Sequence, residues 1–275
     1  MKIAILGAGA YGTALGGVLA DNGYDIDYYD TRLERERLAG VLAGARYIIL
    51  CTPSTTAPHL LPHLPAATPL IVATKGFLAV APFAKFSDWM VLSGPGYADD
   101  IKAAKPTSLT ATDQRIVELL STNFLSFDTT TDRLGVLMCG ALKNIYAIGA
   151  GLKDLKPGTA QHEQYLKDAA EEMRQILAAN SADPHTVDLS CGLGDLRLTC
   201  QPPSRNYAYG QAFYRGTTNR PNQTIEGLSA IRRIERGEIT IPELSPIIND
   251  IMRRVTDLEG IPRSSCQKGD NHATK

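Results

Sequence analysis

KIAILGAGAYGTALGGVLADNGYDIDYYD, residues 2–30, decides the fold of this chain. Lys2–Leu6 reads as a short strand ending in glycines, Thr13–Asn22 as a helix closed by Gly23, and Asp25–Tyr29 as a second strand. Between the first strand and the helix, Gly7, Gly9 and Gly12 give the spacing G-x-G-x-x-G. Strand, glycine turn, helix and strand in that order form a βαβ unit of the kind that binds dinucleotides. The glycines answer a chemical need. Backbone N–H groups must come close to a pyrophosphate, and the helix N-terminus behind them adds partial positive charge. Asp30 follows the second strand, 18 residues after Gly12. A carboxylate there accepts ribose hydroxyls and repels a 2′-phosphate, which favours NAD over NADP. Arg32 and Arg35 follow closely and could offset that repulsion.

Moving outward, the strand–helix alternation continues. Leu33–Ala43 has helical character, and Tyr47–Cys51 is a third strand closed by Thr52-Pro53. Leu70–Thr74 and Met90–Ser93 read as further strands. This alternation predicts a parallel sheet covered by helices. After about residue 130 the pattern changes, and no strands are expected. Residues 135–152 are apolar nearly all round, as in a helix packed on every side. Glu163–Ala179, Thr224–Arg236 and Ser245–Leu258 read as amphipathic helices. The expected architecture is a Rossmann-like α/β domain with a parallel sheet over residues 1–131, then an all-α domain over 132–262. The polar tail 263–275 is expected to be disordered.

Composition narrows the function. The 275 residues are 44% hydrophobic and 21% charged, with a formal net charge of −1. That is a globular profile without the field that draws nucleic acid or an anionic membrane. The five cysteines (Cys51, Cys139, Cys191, Cys200 and Cys266) show no C-x-x-C pair and suggest a reducing, cytoplasmic setting. Cys51 and Cys139 sit in apolar runs and are expected to be small core residues. The N-terminus lacks signal-peptide character. Only residues 135–152 approach membrane-span length, and Lys143 and Asn144 at their centre argue against insertion. His59 and His63 are expected at the surface. His162, His185 and His272 sit in polar stretches, and no metal is expected.

Lys143 is the most informative residue. Nine uncharged residues, Leu134 to Leu142, precede it. An ammonium in so apolar a helix needs a partner or a cavity. Asp195, set among Gly and Leu in CGLGDLRLTC (191–200), is a candidate partner. Ser204-Arg205-Asn206 offers a hydroxyl, a guanidinium fork and an amide, a set able to hold a phosphate. Lys75 follows the strand Leu70–Thr74, and Ser93-Gly94-Pro95-Gly96 ends the next strand. Both fall at the carboxyl edge of the sheet, where α/β proteins bind ligands.

Taken together, GAGAYGTALG (7–16), CTPS (51–54), ATKG (73–76), LSGPG (92–96), CGALKNIYAIGAGL (139–152), CGLGDLRLTC (191–200), SRN (204–206) and IEG (225–227) resemble the bacterial type of NAD(P)-dependent glycerol-3-phosphate dehydrogenase. The resemblance implies interconversion of dihydroxyacetone phosphate and sn-glycerol 3-phosphate, feeding glycerophospholipid synthesis. It implies NAD or NADP as cofactor and a small phosphate ester as substrate, and it leaves a homodimer open. Lys143 takes the place of the lysine that exchanges a proton with the substrate oxygen, and Asp195 that of its acidic partner. The resemblance places Lys75 against substrate and cofactor. Substrate contacts are implied at Gly94, Thr199, Ser204, Arg205 and Asn206. Cofactor contacts are implied at Gly7, Gly9, Ala10, Tyr11, Gly12, Asp30, Ala98, Arg205 and Glu226.

Three departures stand out. Only 16 residues separate Asp30 from Tyr47, where the family carries an extra strand and helix. Gly96 stands where the family has Ser or Thr. The stretch Gly158–Lys167 lacks an expected arginine-containing segment. A reductase of another phosphorylated or keto-acid substrate, and a non-catalytic dinucleotide-binding homologue, are the competing readings.

Overall fold

The computed structural model describes residues 1–30, 36–76, 80–217 and 224–259. Seven strands form one sheet: β1 (Lys2–Leu6), β2 (Asp25–Tyr29), β3 (Tyr47–Leu50), β4 (Leu70–Val72), β5 (Trp89–Ser93), β6 (Thr107–Ala111) and β7 (Leu125–Thr129). Their order is β2-β1-β3-β4-β5-β6-β7. The pairs from β2 to β5 are parallel, in register Ile3↔Ile26, Ile3↔Tyr47, Ile48↔Leu70 and Leu70↔Trp89. Strands β1, β3 and β4 are buried almost throughout, as continuous apolar runs covered on both faces should be.

Five helices punctuate the sheet: α1 (Ala10–Asp21), α2 (Glu36–Leu42), α3 (Ala57–Leu60), α4 (Ala98–Lys102) and α5 (Gln114–Leu119). Beyond Thr129 every described regular element is helical: α6 (Arg133–Leu152), α7 (Ala160–Ala179), α8 (Asp195–Thr199), α9 (Arg205–Tyr214), α10 (Glu226–Glu235) and α11 (Pro246–Glu259), with short turns between them. Asp132 caps α6, its carboxylate accepting the Gly135 amide at 2.9 Å.

One expectation needs correction, and two strands are unforeseen. The sheet is not wholly parallel, because β5 and β6 pair antiparallel through Leu92↔Ala111 and Ser93↔Thr110. Strands β6 and β7 themselves escape an apolar-run reading, since TSLTA and LSFDT are half polar. Their polar atoms have work in the fold. Thr110 Oγ1 accepts the Cys191 amide at 2.9 Å, Ser108 Oγ lies 2.8 Å from Ser190 Oγ, and Asp128 accepts the Ser190 amide at 2.8 Å. Strand polarity here is the seam between sheet and helices.

Helix α6 is the axis of the helical half. Every residue from Gly135 to Leu152 is buried. By length and composition it could cross a membrane, but 94% of that apolar window is covered by the protein's own elements. Helix α9 lies directly on it: a Cβ on Gly151 would collide with the Tyr207 carbonyl oxygen, and one on Gly210 with the Ile148 carbonyl oxygen. Only glycine allows two helix backbones so close. Glu172, buried in α7, accepts the Ile247 and Ile248 amides at 2.9 and 2.8 Å and so anchors the start of α11.

Candidate active site

The carboxyl ends of β1, β3, β4 and β5 open toward α6. Gly7, ending β1, has φ +115°, and a Cβ there would lie 2.8 Å from the Cys51 carbonyl carbon. A Cβ on Gly12 would strike the Gly7 carbonyl oxygen. These two glycines make the turn possible. Gly9 differs, because a Cβ there would meet nothing within 4 Å. Gly9 is also the N-cap of α1 and provides no side-chain cap. The first-turn amides, from Ala10 and Tyr11 onward, therefore lack intrahelical acceptors beside an open approach. That fits a dinucleotide pyrophosphate. Asp30 follows β2 directly and is half-buried; Arg32 and Arg35 lie outside the described residues.

Lys75 stands just past β4. Its Nζ donates to the Gly96 carbonyl at 3.1 Å and lies 4.6 Å from the Tyr11 ring centroid. The side chain keeps solvent contact although protein surrounds it on most sides. That enclosure lowers the ammonium pKa to about 8; the Lys143 charge adds to the fall and Asp195 opposes it. Burial likewise raises the Tyr11 hydroxyl and pushes the Cys51 thiol up to about 12. Cys51 is half-buried rather than a core residue like Cys139.

Lys143 projects from the middle of α6 and forms an ion pair with Asp195, the first residue of α8. The two side chains are 6% and 4% exposed. Thr199, one turn further along α8, donates to the other Asp195 oxygen at 3.3 Å. Tyr11, Thr74, Lys75, Gly94, Lys143 and Asp195 line one small cavity. The glycine loop and the buried ion pair, far apart in sequence, thus meet in space.

Gly94 has φ +139°, and a Cβ there would lie 3.0 Å from the Leu109 Cα, so the β5–β6 crossing itself requires glycine. A Cβ on Gly96 would sit 3.2 Å from the side chains of Ile101 and Leu109. This loop has closed over the space a Ser or Thr would occupy. Ala98 begins α4 and is half-buried.

The tripeptide at the start of α9 is less free than its composition suggests. Ser204 is the N-cap, accepting the Tyr207 amide at 3.4 Å. Asn206 is buried; its amide donates to Asn144 Oδ1 at 2.8 Å and its oxygen accepts the Gly227 amide at 3.0 Å. Among the described residues one Asn206 N–H makes no hydrogen bond beyond these, and it lies at the start of α9. Arg205 is exposed, and its charge acts on both Lys75 and Glu226. Glu226 begins α10 and accepts the Ser54 hydroxyl at 2.6 Å. Burial raises its pKa, with Ser54, Arg205 and Arg233 pulling the other way.

Sequence reasoning missed three participants. Asn144 bridges α6 to α9, donating to the Gly140 carbonyl at 2.9 Å while receiving Asn206. Ser54 links the loop after β3 to Glu226. His162, set in a polar stretch of sequence, is 1% exposed, and its Nε2 lies 3.1 Å from the Cys200 carbonyl just past α8. Helical spacing held the signal for it, since His162, Leu166, Ala169 and Met173 share the buried face of α7. His59 and His63 are exposed.

Residues 132–257 match the family model for the C-terminus of NAD-dependent glycerol-3-phosphate dehydrogenase. A glycerol-3-phosphate dehydrogenase (NAD(P)+) of Brucella ovis is 32% identical over 269 residues, covering 80% of this chain and 82% of that relative. Its counterpart in Desulfotalea psychrophila is 29% identical, covering 78% and 79%. Among solved structures, glycerol-3-phosphate dehydrogenase from Coxiella burnetii aligns at a TM-score of 0.77 with 24% identity, over 93% of this chain and 94% of that chain. The enzyme from Plasmodium falciparum gives 0.77 at 16% identity, over 100% and 97%. Identities this low speak for a shared fold alone; the alignment with the Brucella relative carries further. The chain belongs to the NAD(P)-dependent glycerol-3-phosphate dehydrogenase family.

Proposed function

We propose that this chain interconverts dihydroxyacetone phosphate and sn-glycerol 3-phosphate, using NAD or NADP. The carrying observation is the buried Lys143–Asp195 pair, set against the same cavity as Tyr11 and Lys75. When bound, the dinucleotide supplies or takes up the hydride. Gly7, Gly9, Ala10, Tyr11 and Gly12 would hold its pyrophosphate at the start of α1, Asp30 a ribose, and Ala98, Arg205 and Glu226 its remaining contacts. In the reducing direction the Lys143 ammonium stabilises negative charge growing on the ketone oxygen and donates a proton to it. Asp195 pairs with that lysine and aims it, and Thr199 aims Asp195 rather than the substrate alone. Lys75 adds a second cation beside Gly94. Arg205, the Ser204 hydroxyl and the remaining Asn206 N–H hold the phosphate at the start of α9, aided by that helix's dipole. We assign the dinucleotide to residues 1–131 and most substrate contacts to 132–262. We place the reaction in the cytoplasm, upstream of glycerophospholipid synthesis, without membrane insertion and with a homodimer as the assembly to test first.

The test follows NADH absorbance with dihydroxyacetone phosphate, comparing the intact chain with Lys143→Ala, each checked by thermal melting. The reading expects turnover in the first and a loss of about 10²–10⁴-fold in a folded variant. Equal rates would remove Lys143 from the chemistry. A parallel run with NADPH reads the preference set by Asp30. A panel of keto acids separates this reaction from that of a related reductase.

A further inference from the structure

A second concave surface lies between α3 and α10, away from the Lys143 cavity. It encloses about 610 Å³. His59 stands on the α3 wall; Ser229, Arg232, Arg233 and Glu235 come from α10, and Arg236 caps its end. Arg232 and Arg236 are one helical turn apart, so they present their guanidiniums on one face. Two carboxylates oppose the three arginines. Glu238 pairs with Arg233 at 2.6 Å and with Arg236 at 3.2 Å, and Glu235 receives the Thr256 hydroxyl at 3.5 Å. Arg232 forms no ion pair among the described residues, and Arg236 is 63% exposed. A guanidinium fork matches phosphate oxygens, and the exposed Arg236 gives up its surface carboxylate at little cost, whereas Arg233, 12% exposed, keeps Glu238 and adds its charge to the groove wall. The groove is too large for a lone ion and suits a phosphate attached to a further group.

The groove is wired to the cofactor end of the candidate site. Arg233 reaches the Ser54 carbonyl at 3.5 Å, and the Ser54 hydroxyl donates to Glu226 at 2.6 Å. The Arg233 charge is also felt at Glu226. An anion that draws Arg233 into the groove pulls on the loop after β3 and on the first residue of α10 together.

We propose that the α3–α10 groove is a regulatory site for a small phosphorylated anion, coupled to dinucleotide binding through Arg233, Ser54 and Glu226. The coupling rests on the dinucleotide reading given above; the binding does not.

Inorganic pyrophosphate is the probe, titrated calorimetrically into the full chain at constant ionic strength. The expected result is saturable binding, weakened about tenfold or more in Arg232→Ala/Arg236→Ala. Neither arginine belongs to the proposed catalytic machinery. Saturating pyrophosphate should also raise the NADH dissociation constant about fivefold to a plateau, and this rise should vanish in the double variant. The single variant Arg232→Gln, at an exposed position, serves if the double variant does not fold. Equal pyrophosphate affinity in wild type and variant overturns the site. So does a rise in the NADH constant that continues without plateau and persists in the variant, which is competition inside the cofactor cleft. Pyrophosphate binding with no effect on NADH overturns the coupling, and neither result bears on Lys143.

Discussion

Lys143 and Lys75 are the same chemical group held in opposite ways. Lys143 rises from the fully buried α6 and is matched by a carboxylate. Lys75 stands at the sheet edge in contact with solvent, and its partners are a carbonyl and an aromatic ring. Depth alone would leave the Lys143 ammonium without solvation, and Asp195 supplies the counter-charge that depth demands. Among the described residues no carboxylate is bonded to Lys75, and enclosure draws the ammonium down to about 8. The helical half thus holds a lysine bound to a carboxylate, and the sheet edge holds one whose pKa is drawn down to about 8.

The largest expected effect tests the first half of that contrast. Asp195→Asn leaves an uncompensated charge in a packed core and should cost about 3–5 kcal/mol of stability, read from denaturant unfolding. Lys143→Met/Asp195→Leu removes both charges and should restore most of that loss while leaving the chain inactive. If Asp195→Asn melts like the wild type, the pair is not what holds Lys143 in place.

The next effect concerns Lys75 and pH. Its pKa in the fold, about 8, lies below the ordinary 10.5. Below pH 8 folded and unfolded chains both hold the proton. Between about pH 8 and 10.5 only the unfolded chain does, so this group's contribution to stability rises with pH across that window. Activity should move the other way, since a neutral Lys75 no longer attracts an anionic substrate. The kcat/KM profile should fall above pH 8, and Lys75→Arg should displace that limb upward, because arginine stays charged. An unmoved limb would assign it to another group.

The smallest effect sharpens the comparison. Thr199→Val removes one hydrogen bond to Asp195 and should cost about 1 kcal/mol, with a severalfold drop in kcat and little change in the pH limb of Lys75. A shifted limb instead would mean that the two lysines titrate as one unit.

Much of this was legible in the chain. G-x-G-x-x-G between a strand and a helix announced the turn, and β1 and β2 fall on the residues that the apolar pattern marks. Lys143 stood out because an ammonium among nine uncharged residues has few structural excuses. Other features were hidden for identifiable reasons. Strands β6 and β7 are polar because their side chains bond to the segment at Ser190 and Cys191, and periodicity registers apolar burial alone. Asn206 reads as a ligand group, and the sequence hides that its amide is also held between Asn144 and Gly227, a partnership formed only when α6, α9 and α10 meet. The burial of His162 is hidden because its neighbours in sequence are polar, while its neighbours along the helix face are not.

The glycine crossing of α6 and α9 carries one more consequence. Gly151 fixes where α9 rests on the helix that carries Lys143, and Gly210 fixes it on the helix that begins at Arg205. On the function proposed above, proton donor and phosphate anchor are therefore the two jaws of a caliper whose pivot is bare backbone. A single methyl group at the pivot would open the jaws, so the length of molecule that fits between them is set by two residues that touch no ligand.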